Sequence, residues 1–180
     1  SQTVDASVGT RLLADVDRMA RVVDAILLLS RPRVVLTPAS LVNLADLVRE
    51  VATAATPIDA PDEALVRADP RLVELALRNL LENAEKYSGH PATKVRVSRD
   101  EDTVRIAVLD DGPGLPEAAR AKMFDRYWRA VADGEGSGLG LALVRAVAES
   151  HGGRAEVRLN PAGKGLEVSI TLGSVVSWHD

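Results

Sequence analysis

Asn79-Leu80-Leu81-Glu82-Asn83-Ala84-Glu85-Lys86-Tyr87-Ser88 covers the end of a helix expected from Pro70 to Tyr87, and the placement of its polar residues decides how the chain is read. At about 100° per residue, Val73, Leu77, Leu80, Leu81 and Ala84 form an apolar face, and Arg71, Glu74, Arg78, Glu82 and Glu85 a charged one. Asn79, Asn83, Lys86 and Tyr87 share the remaining sector, beside Leu72, Leu75 and Ala76. Asparagine is a mediocre helix former because its amide competes for nearby backbone groups, so two of them one turn apart call for a partner. An amide oxygen is a suitable hard ligand for Mg²⁺, and a lysine one turn on would neutralise phosphate charge. Solvated asparagines beside a loop are the plain alternative.

Outward from this helix the pattern changes period. Lys94-Val95-Arg96-Val97-Ser98 and Thr103 to Leu109 alternate in strand fashion around a turn at Asp100 to Asp102, which predicts a hairpin. A helix is expected from about Leu139 to Ser150, ended by Gly152-Gly153, and then strands at Arg154 to Leu159 and Leu166 to Leu172. On the other side, Ser40 and Asn43 offer caps for a helix from Leu44 to Ala54, and Pro57 to Pro61 interrupts it. Further upstream Leu12, Val16, Met19, Val23, Ile26 and Ser30 step by four and three, the seam of a helix that packs on other helices, until Arg31-Pro32-Arg33 stops it. Helices and antiparallel strands in this order predict an α+β sandwich with the helices on one sheet face.

Two glycine-rich stretches could approach a ligand. Asp110-Asp111-Gly112-Pro113-Gly114-Leu115 follows a strand, where a carboxylate can accept a hydrogen bond from an exocyclic amine; an acidic turn is the alternative reading. Gly134-Glu135-Gly136-Ser137-Gly138-Leu139-Gly140 feeds into an apolar-periodic helix, so free backbone N–H groups at the helix start would suit a di- or triphosphate. A flexible linker would look similar in isolation. The order and combination of the three elements are what discriminate between these readings.

Bulk composition narrows the field. With 46% hydrophobic and 27% charged residues in 180, the chain can bury one domain core and carry a helical appendage. The 26 acidic and 22 basic residues form no long run of one sign, which argues against a nucleic-acid surface. There is no cysteine, hence no disulfide and no thiolate metal site. Ala25 to Leu29 is far short of the ~20 apolar residues that span a bilayer, so a cytoplasmic location is expected, with any membrane tether of a parent protein lying elsewhere.

Asn79 to Ser88 resembles the N box of bacterial two-component sensor histidine kinases. Asp110 to Gly114 resembles their first glycine box, Phe124-Asp125-Arg126-Tyr127-Trp128-Arg129 their F box, and Gly136 to Leu143 their second glycine box, all in the family's order. Leu12 to Arg31 is similar to the second helix of the family's dimerisation hairpin. The resemblance implies a Bergerat-type two-layer sandwich with an N-terminal helix. It divides the chain into a partial dimerisation helix (1–31), a linker (32–43), an ATP-binding catalytic domain (44–173) and a tail (174–180). It implies ATP and Mg²⁺ as ligands, with Asp110 reading the adenine amine, Asn83 on Mg²⁺, and Asn79 and Lys86 near the phosphates. Tyr87, Gly112 and Gly114 would flank the nucleotide, Arg126 or Arg129 would reach the phosphates from a mobile lid over 124–137, and Gly136, Ser137, Gly138, Leu139 and Gly140 would form the phosphate arm. Tyr127 and Trp128 are expected as the lid's apolar anchors.

No histidine followed by acidic and Arg-Thr-Pro residues precedes the linker, where the family carries its phosphoacceptor. The chain is therefore expected to phosphorylate a histidine supplied by a parent protein or another chain, to depend on that helix for autophosphorylation, to pair through its N-terminal helix and to feed a response regulator. His90, His151 and His179 are expected to be structural or solvated. Gly165-Leu166-Glu167-Val168 departs from relatives that often carry threonine and phenylalanine there.

Same-fold ATPases, such as type II topoisomerases, mismatch-repair proteins and a heat-shock chaperone family, place a glutamate four residues before the Mg²⁺-binding asparagine as general base. Position 79 is asparagine, and Glu82 is expected to point away toward the charged face. Same-fold serine kinases that bind sigma factors usually lack a heptad helix. A nucleotide-binding regulatory or interaction module of the same fold is the remaining alternative.

Overall fold

The computed structural model describes Val23 and residues 40–100, 102–130 and 137–173. Elements in chain order are β1 (Ser40–Asn43), α1 (Leu44–Val51), β2 (Ile58–Asp59), β3 (Leu65–Ala68), α2 (Pro70–Ser88), β4 (Lys94–Asp100), β5 (Thr103–Leu109), α3 (Glu117–Arg120), α4 (Gly140–Ser150), β6 (Ala155–Leu159) and β7 (Leu166–Gly173). Of the expected N-terminal helix only Val23 is described; it is helical and 53% exposed. The rest of that helix, the tail after Gly173 and His179 lie outside the described residues.

The main sheet runs β2-β4-β5-β7-β6. Its registers bring Val95, Val108, Val168 and Val157 into one row across four strands, and Val97, Ile106, Ile170 and Ala155 into the next. These rows face the helices and make the core, each large apolar side chain contributing about 1.5–3 kcal/mol. The opposite face is polar. There Arg105 Nη2 donates to Glu167 Oε1 and to Ser169 Oγ, both at 2.8 Å, which keeps a buried carboxylate paired.

α2 forms where the periodicity predicts, for local reasons. Asp69 caps it by accepting from Arg71 N at 3.0 Å and Leu72 N at 3.4 Å, Pro70 sits in the first turn, and Gly89 ends it at φ +82°. Val73, Ala76, Leu77, Leu80 and Ala84 are buried. Ala76, placed beside the asparagines by the sequence pattern, thus belongs to the core, while Leu81 is only half-buried. α2 packs against α4. His151 ties the two: its Nδ1 donates to Val147 O at 2.7 Å, which leaves Nε2 to accept from Asp69 N at 3.0 Å. That is the structural role expected of it.

Three short strands were not expected. β1 lies in the stretch read as the end of a linker, pairs antiparallel with β3, and leaves Asn43 alone to cap α1. α1 ends at Val51, earlier than the predicted Ala54. β2 occupies part of the proline-bounded break and runs parallel to β4, so the sheet is mixed. Among the described residues no helix is long and apolar enough to cross a membrane.

Candidate functional site

A cavity of about 530 Å³ opens between α2, the loop after β5, the segment before α4, and the sheet. Asn79, Asn83, Lys86 and Tyr87 come to it from α2, so the polar sector does face one space. Glu82 lines it as well. The helical-wheel expectation that Glu82 points away is thereby corrected: the cavity wraps far enough round the last turns of α2 to reach two sectors.

Asp110 and Gly114 line the cavity from the loop after β5. Asp110 is 7% exposed and its Oδ1 accepts from Gly112 N at 2.9 Å and Leu166 N at 3.2 Å. Its own backbone N–H donates to Leu166 O at 2.9 Å. Gly112 does not line the cavity, a departure from the expected ligand contact. Its part is close approach, because a Cβ there would lie 3.0 Å from both Asp110 Oδ1 and Tyr87 O.

Ser137, Gly138, Leu139 and Gly140 line the other end, where α4 begins. Leu139 N takes a long bond to Ser137 Oγ at 3.3 Å, but α4 has no side-chain cap at its N-cap residue. Its first N–H groups and the positive end of its dipole therefore border the cavity, as an anion site requires. Gly140 lets α4 approach α2 closely, since a Cβ would lie 2.7 Å from Asn79 Oδ1 and the amide would have to shift. The partner called for at Asn79 is found partly within α2, where Nδ2 donates to Leu75 O at 2.8 Å. Gly136 lies outside the described residues.

The described part of the segment expected to form a lid, 124–130, is anchored differently from expectation. Met123 and Phe124 are buried and Trp128 packs partly on the core, but Tyr127 is 70% exposed. Tyr127 acts through its backbone instead: at φ +64° it donates its N–H to Gly138 O at 2.9 Å, and Gly138 itself sits at φ +70°. Arg129 lines the cavity and Arg126 does not, which removes Arg126 from the set that the structure brings together. The residues left out of the expected site are apolar and turn residues. Met123, Leu143, Leu166 and Val168 furnish the cavity's greasy wall, and Asn160 and Gly165 contact Asp110 from behind a turn. The second glycine box includes Leu143 and the departure noted at 165–168 hints at Gly165, Leu166 and Val168, while nothing points to Met123 or Asn160.

Residues 68–175 match the family model described as "Histidine kinase-, DNA gyrase B-, and HSP90-like ATPase". The sensor histidine kinase MtrB of Mycobacterium leprae is 40% identical over 120 residues, covering 64% of this chain and 21% of that protein. The chain thus spans about a fifth of the length of the curated relatives it matches. The solved structure of a mycobacterial sensor histidine kinase, MprB, superposes with a TM-score of 0.64 at 27% identity, covering 76% of this chain and 97% of that one. The ATP binding domain of PrrB from Mycobacterium tuberculosis gives 0.60 at 28% identity, covering 77% and 99%.

Proposed function

The chain belongs to the family of histidine kinase-, DNA gyrase B- and HSP90-like ATPases and holds the ATP-binding catalytic domain of the sensor histidine kinase type, and from that premise we propose that it transfers the ATP γ-phosphoryl group to a histidine not present in this sequence. The observation that carries this reading is a single cavity with a fixed carboxylate, Asp110, at one end and the uncapped start of α4 at the other. The carboxylate suits an exocyclic amine and the helix start suits phosphate oxygens.

In this reading Asp110 accepts from the adenine amine, and the backbone N–H groups from Ser137 to Gly140 hold the β- and γ-phosphates with Lys86 and Arg129. Tyr87, Gly114 and the apolar wall enclose the base and sugar. Asn83 offers an amide oxygen beside the phosphate end; no group of three His, Cys, Asp or Glu gathers to hold a metal among the described residues, so Mg²⁺ fits here as an ion shared with substrate phosphates. Bound there, Mg²⁺ would neutralise charge developing on the phosphates. The acceptor imidazole nitrogen attacks the γ-phosphorus, the bond to the β–γ bridging oxygen breaks, ADP leaves and the imidazole loses its N–H proton. Such a transfer depends chiefly on positioning and charge neutralisation.

Hydrolysis is disfavoured at position 79. An amide cannot take a proton from water, and Asn79 Nδ2 is committed to Leu75 O. Pairing of copies through 1–31, delivery to a response regulator and a cytoplasmic setting complete the proposal. The test is to incubate the chain with γ-labelled ATP and Mg²⁺, with and without a polypeptide bearing a phosphoacceptor histidine hairpin. Acid-labile label on the added hairpin is the expected result. Release of inorganic phosphate at the same rate in both mixtures, with the hairpin unlabelled, would establish a hydrolase instead.

A further inference from the structure

The turn between β6 and β7 supplies no expected site residue, yet it grips Asp110. Asn160 opens this turn and is 5% exposed. Its backbone N–H donates to Gly165 O at 3.1 Å, its carbonyl accepts from Gly163 N at 2.9 Å, and its Oδ1 accepts from Ala162 N at 3.0 Å. These three bonds shape the turn. Its Nδ2 leaves the turn and donates to the backbone carbonyl of Asp110 at 2.7 Å, across 50 residues of sequence. The partners fix the orientation of the amide, because a backbone N–H only donates and a carbonyl only accepts.

The same turn reaches Asp110 twice more. Gly165, at φ +88°, lies so close that a Cβ would run into the Asp110 carbonyl, and Leu166 N holds the Asp110 carboxylate at Oδ1. Backbone and side chain of one residue are thus anchored by one hairpin. Both recorded bonds to the carboxylate fall on Oδ1, so a base amine would use the acceptor capacity of Oδ2. How well that oxygen meets the amine depends on the Asp110 backbone, whose carbonyl end Asn160 pins.

We infer that Asn160 is a positioning residue for base selection: it fixes the Asp110 backbone so that the carboxylate discriminates purines by their exocyclic amine. This rests on the ATP reading above. Hydrogen bonds weaken steeply when misaligned, so loss of the anchor should erode discrimination before it erodes phosphate binding.

Asn160→Asp keeps the oxygen that Ala162 N needs and replaces the donor by an oxygen facing a carbonyl. Asn160→Ser keeps a turn-capping oxygen that is too short to reach Asp110. Calorimetry on the full chain compares ATP, purine riboside triphosphate, which lacks the amine, and tripolyphosphate, each with Mg²⁺. The native protein should prefer ATP over the amine-free analogue by about tenfold or more, and in both variants that preference should fall to about threefold or less, with tripolyphosphate affinity unchanged. A folded variant that keeps the native preference overturns the inference, as does loss of tripolyphosphate binding in step with ATP, or failure of both variants to fold. A native protein that binds ATP and the analogue equally overturns the adenine reading of Asp110 itself, an outcome visible before any variant is made.

Discussion

The two ends of the cavity are built by different means. At the end proposed for the base Asp110 is held by hydrogen bonds to Gly112 N, Leu166 N, Leu166 O and Asn160 Nδ2, nearly all of it out of water. At the end proposed for the phosphates Ser137 and Arg129 are exposed, and the backbone enters the left-handed region at two separate residues, Tyr127 and Gly138, joined by one 2.9 Å bond. Groups already fixed before a ligand arrives cost little ordering when it binds, whereas exposed groups must be gathered. The base end is therefore suited to discrimination and the phosphate end to adjusting as charge moves.

The largest effect that this contrast predicts is at Asp110. Asp110→Asn retains an oxygen for Gly112 N and Leu166 N but sets an NH₂ group where the base amine needs an acceptor. ATP affinity should fall by about ten- to a hundred-fold, the equivalent of ~1.5–3 kcal/mol for a charge-assisted bond, as read by calorimetry. The ligand-free melting temperature should move little. Native ATP affinity in this variant would remove Asp110 from base recognition and collapse the distinction between the ends.

A smaller effect is expected at Gly138. Alanine there takes on the left-handed penalty of ~1–2 kcal/mol and a Cβ 2.7 Å from Tyr127 Cα, so the segment before α4 must shift. ATP affinity should drop by about tenfold while adenosine, which lacks phosphates, binds as before. Equal losses for both ligands would mean that the two ends are one mechanical unit.

The same contrast governs what could be read from the sequence. α2 was legible because its cap at Asp69, its apolar period and its closing Gly89 all agree locally, and the β4–β5 hairpin because alternation brackets a short turn. The segment from Ser137 to Gly140 was legible as glycines entering a helix. Asn160 was not, because Asn160-Pro161-Ala162-Gly163 reads as an ordinary turn and its decisive bond spans 50 residues. β2 has two residues and owes its existence to β4 rather than to its own sequence. Tyr127 misled for a different reason: aromatic residues are usually anchors, and here a left-handed backbone turns the ring outward while Phe124 takes the buried place. Glu82 shows the limit of sectors on a wheel, since a ligand-sized cavity covers more of a helix than one sector.

The smallest predicted effect leaves affinity untouched and concerns hydrogen exchange. Gly112 N–H is buried and bonded to Asp110 Oδ1 without any ligand, so its protection should already be high, whereas amides from Asp125 to Ala130 lie in a largely exposed segment. Saturating ATP–Mg²⁺ stabilises the whole domain by linkage, but that term slows only amides that exchange through global unfolding. Amides that exchange by local opening slow only if the ligand touches their segment. Adenosine supplies the control, since it should fill the base end and leave the phosphate end vacant. Exchange over Asp125 to Ala130 should therefore slow with ATP–Mg²⁺ and remain unchanged with adenosine, while Gly112 changes in both cases only by the linkage term. Slowing of the segment by adenosine alone would show that closure is driven from the base, and the division of labour between the two ends would have to be reversed.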